Sequence, residues 1–237
     1  SEALPREVVS VLPSFADAPR GADVAVGDLV WIGPVSDESE LALVTAIDAD
    51  SVTIQRGVLD TVPREWPAET PLYVLSETAA GSTGTERAIG ETASVRLLPT
   101  TGAGTLPLDE AADVAATMTG RLHRPYRPAN LRVDGVLWPD PDEWREYPLT
   151  LTGSPRNRVE ETGLIARWDD GGVQAEPGTE YRVRLYGLRA DGTSIGLAAD
   201  VTQAETELHI DGSVLTGAFL GAAWVRAEVA AVRDGLE

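Results

Sequence analysis

Glu180-Tyr181-Arg182-Val183-Arg184-Leu185-Tyr186 is the stretch that decides the fold class. Tyr181, Val183 and Leu185 point one way, and Arg182, Arg184 and Tyr186 point the other. That is the two-residue period of a half-buried β-strand. The turn Glu176-Pro177-Gly178-Thr179 precedes it, and Asp191-Gly192 turns the chain into a further strand from Thr193 to Leu197. The same texture continues outward. Tyr147 to Thr152 is strand-like, and so is Gly163 to Trp168, closed by Asp169-Asp170-Gly171-Gly172. Glu207 to Ile210 alternates, as does Ala223 to Val232, where Val225, Ala227 and Val229 oppose Trp224, Arg226 and Glu228. About seven short strands in roughly 100 residues, with frequent turns, is the pattern of a β-sandwich.

Upstream, Pro125, Pro128, Pro139, Pro141 and Pro148 make an extended, semi-rigid segment that contains a short strand, Leu131 to Val133, and the turn Asp134-Gly135. Nearer the N-terminus, Val26–Ile32 reads as a turn running into a buried strand, and further strands are expected at Leu41–Ile47, Val52–Gln55 and Leu72–Leu75, with Asp48-Ala49-Asp50-Ser51 turning the second into the third. Residues 1–23 carry no clear pattern. Glu77 to Ser94 is rich in Thr, Ala, Gly, Ser and Glu and reads as an exposed loop, with strand character resuming at Ala93 to Leu98. Leu108 to Gly120 is ambiguous. Leu108, Ala111, Ala112 and Ala115 lie at helical spacing, whereas Val114, Thr117 and Thr119 suit a strand. The expected organisation is a β-rich unit over 1–120, a Pro-rich linker over 121–128 and a sandwich over 129–237.

The chain has 237 residues and a formal charge of −19, from 38 acidic and 19 basic residues, and every basic residue is Arg. Such an acidic chain is repelled by nucleic-acid phosphates and anionic membrane surfaces, so neither is an expected partner. The absence of Cys removes disulfides and thiol chemistry, and the absence of Lys removes Schiff-base catalysis and the phosphate-binding Gly-Lys-Ser/Thr loop. No apolar run approaches the roughly 18 residues of a membrane span. Ser1 opens the chain without Met and Glu237 follows a strand-like run, which suggests a piece of a longer polypeptide.

Few residues invite a catalytic role. His123 lies in the linker and His209 in a strand, with no second His near either. The acidic groups Asp109-Glu110, Asp140-x-Asp142-Glu143 and Asp169-Asp170 read as solvated turns. No residue receives a catalytic, cofactor-binding or metal-binding assignment, and a non-enzymatic protein is expected. Trp66, Trp138 and Trp144 lie in loops and read first as covering the rim of a small β-core, while exposed loop Trp side chains could also anchor an interface or stack on sugars. Trp31, Trp168 and Trp224 lie in strand patterns. Arg121, Arg124 and Arg127 form a basic island suited to an acidic neighbouring surface.

Two stretches carry a family signal: Gln55-Arg56-Gly57-Val58-Leu59-Asp60-Thr61-Val62-Pro63 and Arg121-Leu122-His123-Arg124-Pro125-Tyr126-Arg127-Pro128-Ala129-Asn130-Leu131-Arg132-Val133-Asp134-Gly135. Both resemble segments of the baseplate-hub or tail-tip proteins of long-tailed bacteriophages and gene transfer agents. In that family the first run closes a β-domain and the second leads into a fibronectin-type-III-like sandwich. The resemblance spans about residues 24–237 and implies the C-terminal part of a longer hub. It implies a structural virion protein of the tail, in a symmetric oligomer with other tail subunits and with a host-envelope receptor as a further contact. Arg121, Arg124, Arg127, Trp66, Trp138, Trp144 and the 77–94 loop are the expected subunit contacts. The alternative from the residues alone is a carbohydrate-binding sandwich of a glycoside hydrolase, carried by the loop Trp side chains. A hydrolase with paired carboxylates is a weaker third reading.

Overall fold

The computed structural model describes residues 3–13, 24–34, 38–75, 85–120, 123–140, 148–162, 165–211 and 221–237. Its elements are nearly all strands: β1 Val9–Pro13, β2 Leu29–Ile32, β3 Glu40–Ile47, β4 Ser51–Arg56, β5 Leu72–Leu75, β6 Thr92–Arg96, β7 Thr100–Thr101, β8 Gly104–Thr105, β9 Asp113–Thr117, β10 Ala129–Val133, β11 Leu149–Ser154, β12 Glu180–Leu188, β13 Ser194–Gln203, β14 Leu208–Ile210 and β15 Trp224–Val232. A 3₁₀ turn occupies Glu160–Thr162. The fold is mainly β, and every paired strand is antiparallel.

The chain groups into two compact units: residues 1–80 with 125–237, and residues 81–124. One crossing between them, at 124/125, falls inside the Pro-rich segment. The other, at 80/81, falls inside the Thr-, Ala-, Gly- and Ser-rich stretch read as an exposed loop. Residues 1–80 and 125–237 share a unit because a small apolar cluster joins them: Val8, Ala129 and Trp168, lined by Val62, Leu131, Leu137 and Trp138.

Within the larger unit, a five-stranded sheet has the order β1-β4-β3-β2-β5. Alternation sends Val30 and Ile32 of β2, Ala42 and Val44 of β3, and Val52 and Ile54 of β4 into one core with Leu12. Residues 1–23 therefore hold a strand that their composition does not announce, since Val9 to Pro13 pair along β4 from Gln55 to Ser51. Two three-stranded sheets, β10-β11-β14 and β13-β12-β15, face each other across a second core. Leu151 and Ile210 come from the first sheet, Val183 and Leu185 from the second. The Asp191-Gly192 hairpin is present, with Asp191 Oδ1 accepting the Thr193 N–H at 3.0 Å.

The expected strand at 163–168 does not form over its described residues, 165–168. Residues 165–167 have no regular structure and Trp168 begins a turn. The Trp168 ring stacks on Trp138, and Asp170 accepts the Arg167 N–H at 2.9 Å. Ring burial and this local hydrogen bond hold the segment as a loop.

The smaller unit is a ribbon of β6 and β9 with the short hairpin β7-β8. Leu108 to Glu110 form a turn and Asp113–Thr117 a strand, so the β period prevails in the ambiguous stretch. Val95 opposes Val114 on one face of the ribbon, while Arg96 pairs with Asp113 on the other.

Candidate functional site

Residues 55–63 and 125–135 meet in the larger unit and build a joint. It starts from a strand parity. Arg56 continues the inward row Val52, Ile54 of β4, and Glu40 begins the inward row Ala42, Val44 of β3. Both charges are therefore delivered to the end of an apolar core, and both side chains are fully buried. They form a bidentate pair, with Arg56 Nε to Glu40 Oε1 at 2.7 Å and Nη2 to Oε2 at 2.6 Å.

A buried ion pair is tolerated only when its other donors and acceptors are also matched. Here they are. Arg56 Nη1 donates to the Pro5 carbonyl at 2.7 Å and to Ser10 Oγ at 3.4 Å, and Nη2 donates to the Arg64 carbonyl. These bonds engage the full guanidinium donor set. Glu40 accepts the Gly57 N–H at 3.1 Å, the Arg64 N–H at 3.1 Å and Trp66 Nε1–H at 2.8 Å. The pair thus pins the N-terminal segment, β3, β4 and the 57–66 loop to one point.

The loop between Arg56 and Trp66 turns tightly at Gly57. Gly57 has φ +64, and a Cβ there would lie 2.3 Å from Pro63 Cδ. Thr61 Oγ1 donates to the Val58 carbonyl at 2.9 Å and accepts the Leu41 N–H at 3.0 Å. Asp60 is thereby presented outward, and its Oδ1 accepts the Arg127 backbone N–H at 2.6 Å. Beyond Arg127, Pro128 and Ala129 are buried. Asn130, at φ +51, donates from Nδ2 to Ser154 Oγ at 3.3 Å. The Asp134-Gly135 turn closes with reciprocal bonds between Val133 and Val136.

An aromatic stack flanks the joint. The Arg6 guanidinium lies 3.9 Å from the centre of the Trp138 ring, and Trp138 stacks on Trp168 at 4.7 Å and 20°. Arg6 Nε also donates to the Pro63 carbonyl at 3.2 Å. Burial, and then the charge of Arg64, lower the Arg6 pKa from its ordinary value.

Of the expected contact residues, Trp66 is half-buried over Gly33 and bonded to Glu40, and Trp138 is sandwiched between Arg6 and Trp168. These two rings serve the interior of the unit. Arg124 belongs to the smaller unit and donates to the Thr119 carbonyl at 3.3 Å; Arg127 is exposed. Arg121 and Trp144, and Asp142 and Glu143 of the acidic group, lie outside the described residues. So does 77–84 of the expected contact loop, whose remainder leads into β6. His123 is exposed, and His209 contacts Glu207 at 3.1 Å and Thr150 Oγ1 at 3.3 Å. The Asp169 carboxylate is held by the Arg167 guanidinium through two bonds of 3.0 Å.

Among the described residues the remaining buried charges are also paired. Arg156 meets Glu161, and Glu176 accepts from Arg158 and Arg233. Among the described residues no group of three or more His, Asp or Glu side chains is placed to hold a metal ion. A hollow inside the sandwich, lined by Leu131, Tyr181 and Val229 among others, has a volume of about 10 Å³, room for about one water. No described helix is long and apolar enough to cross a membrane.

No family model matches this chain, and no curated protein matches it.

Proposed function

We propose that this chain is a structural component of a phage tail tip or baseplate, packing against other tail subunits in a symmetric assembly, with the host envelope as a further contact. The observation that carries this reading is the joint itself. The residues of both resembling stretches are spent on fixing one backbone segment against another, through Asp60 and Arg127, Arg56 and Glu40, and the Gly57–Pro63 approach. A part whose task is to hold a shape under load gains from such fully bonded internal pairs. The facing sheets β10-β11-β14 and β13-β12-β15 support the fibronectin-like half of the resemblance. The sugar-binding alternative draws no support from Trp66 and Trp138, whose rings are engaged within the fold.

Gold-labelled antibody against the chain, applied to particles from cells that encode it, tests the proposal. Label at the tip of tails is expected. Label absent from tails but present on disrupted particles would reject it. Replacing Arg124 and Arg127 together by Ala should lower the yield of complete particles while leaving the unfolding midpoint of the isolated chain in place. Normal particle yield would remove the basic island from the contact surface.

A further inference from the structure

We propose that the outer edge of β15 pairs with the same edge of a second copy of this chain, antiparallel and centred on Ala227. An open strand edge offers a row of unpaired backbone donors and acceptors, and proteins ordinarily blunt it. The other sheet edges of the larger unit are blunted. β13 is interrupted by two register shifts and β10 by one. β1 ends in Pro13, while β5 and β14 are only four and three residues long. By contrast, β15 runs for nine residues in unbroken register with β12. Among the described residues no strand covers its far side. Trp224 and Val225 are 37% and 38% exposed.

The sequence of that strand chooses the occupant. Val225-Arg226-Ala227-Glu228-Val229 is complementary in charge to its own reverse about Ala227. Antiparallel pairing about this centre sets Arg226 opposite Glu228 of the second copy, Glu228 opposite its Arg226, and Val225 opposite its Val229. Moving the centre to residue 226 would oppose two Arg side chains, and moving it to residue 228 would oppose two Glu side chains. A one-residue slip would turn the apolar set to the wrong face. Only the register on Ala227 matches charge and face together. Both charged groups already project from the sheet. Their side chains are 51% and 42% exposed, they meet at 3.0 Å within one copy, and Arg226 lies 4.9 Å from the Tyr186 ring centre. The contact joins two three-stranded sheets into one sheet across a two-fold axis.

The experiment is sedimentation equilibrium of the full 237-residue chain over a concentration series reaching about 100 μM. A dimer that dissociates on dilution is expected. Glu228→Arg and Arg226→Glu, each alone, place like charges opposite each other twice and should weaken self-association roughly ten- to hundredfold. Mixing the two variants restores opposite charges at every pair and should recover a heterodimer, which a variant that merely misfolds could not do. A chain that stays monomeric throughout, its edge taken by another segment or a foreign strand, overturns the proposal. So does a dimer that neither reversal weakens, or a mixture that fails to associate.

Discussion

The Asp60 carboxylate accepts the backbone N–H of Arg127 at 2.6 Å, across 67 residues of sequence. This bond ties the loop after β4 to the segment that enters β10, and the cluster of Val8, Ala129 and Trp168 ties the same two parts by burial. Replacing Asp60 by Ala removes the acceptor and leaves the backbone donor to water, which costs about 1 kcal/mol. Urea unfolding should show that loss. A variant as stable as the parent would mean the cluster alone fixes the joint.

The buried pair predicts a larger effect with a distinctive non-additivity. Glu40→Gln leaves the Arg56 charge buried without its counter-charge, and a broken pair of this kind costs about 3–5 kcal/mol. Arg56→Met does comparable harm by stranding Glu40. Combining Arg56→Met with Glu40→Gln removes both charges and should cost much less than the two single losses added. A double-mutant cycle in denaturant measures the coupling. Additive losses would show that the side chains act independently, contrary to their bidentate geometry.

Strand alternation made most of this fold legible, because it survives any tertiary arrangement. β12 is the clearest case, with Tyr181, Val183 and Leu185 buried as their spacing requires. β1 was hidden because its pairing with β4 is non-local, and Val9 to Leu12 sit between turn-like and Pro-containing neighbours. Gly163 to Trp168 misled for the opposite reason. Ile165 and Ala166 lie in a loop whose Trp168 finds burial in a ring stack. The buried pair left a signal that charge alone disguises. Arg56 and Glu40 keep the inward parity of the rows they extend, and parity outranks residue type when the sequence supplies opposite charges on neighbouring strands. The loop Trp residues leave no local record of their partners, since neither the Trp66 bond to Glu40 nor the packing of Arg6 on Trp138 can be read from neighbouring residues.

Gly57 and Gly192 separate the two costs of a side chain at positive φ. Both have positive φ, +64 and +80, but a Cβ at Gly192 meets open space whereas one at Gly57 meets the Pro63 ring at 2.3 Å. Gly192→Ala should cost about 1–2 kcal/mol, the ordinary penalty of the left-handed region. Gly57→Ala adds the displacement of Pro63, and with it the Arg6 contact at the Pro63 carbonyl, for a total of about 3 kcal/mol or more. Thermal or urea unfolding of the two variants side by side checks the difference. Equal losses would show that Pro63 moves freely and that the loop is less constrained than its contacts imply.

Tyr181 predicts a pH dependence with a definite sign. Its ring is buried at the start of β12, and burial pushes the phenol up from 10.0 to about 12. Its hydroxyl has no hydrogen-bond partner among the described residues, so no specific bond to the phenolate offsets the cost of burying charge. The folded state therefore favours the neutral phenol. Its contribution to stability is complete below the unfolded pKa near 10 and is lost as pH rises from there through about 12. Absorbance near 295 nm should show a late-titrating component among the five Tyr residues, absent from Tyr181→Phe. The same substitution should flatten the fall in stability between about pH 10 and 12. A parent chain whose Tyr residues all titrate together near pH 10, while still folded, would mean that the Tyr181 hydroxyl reaches water.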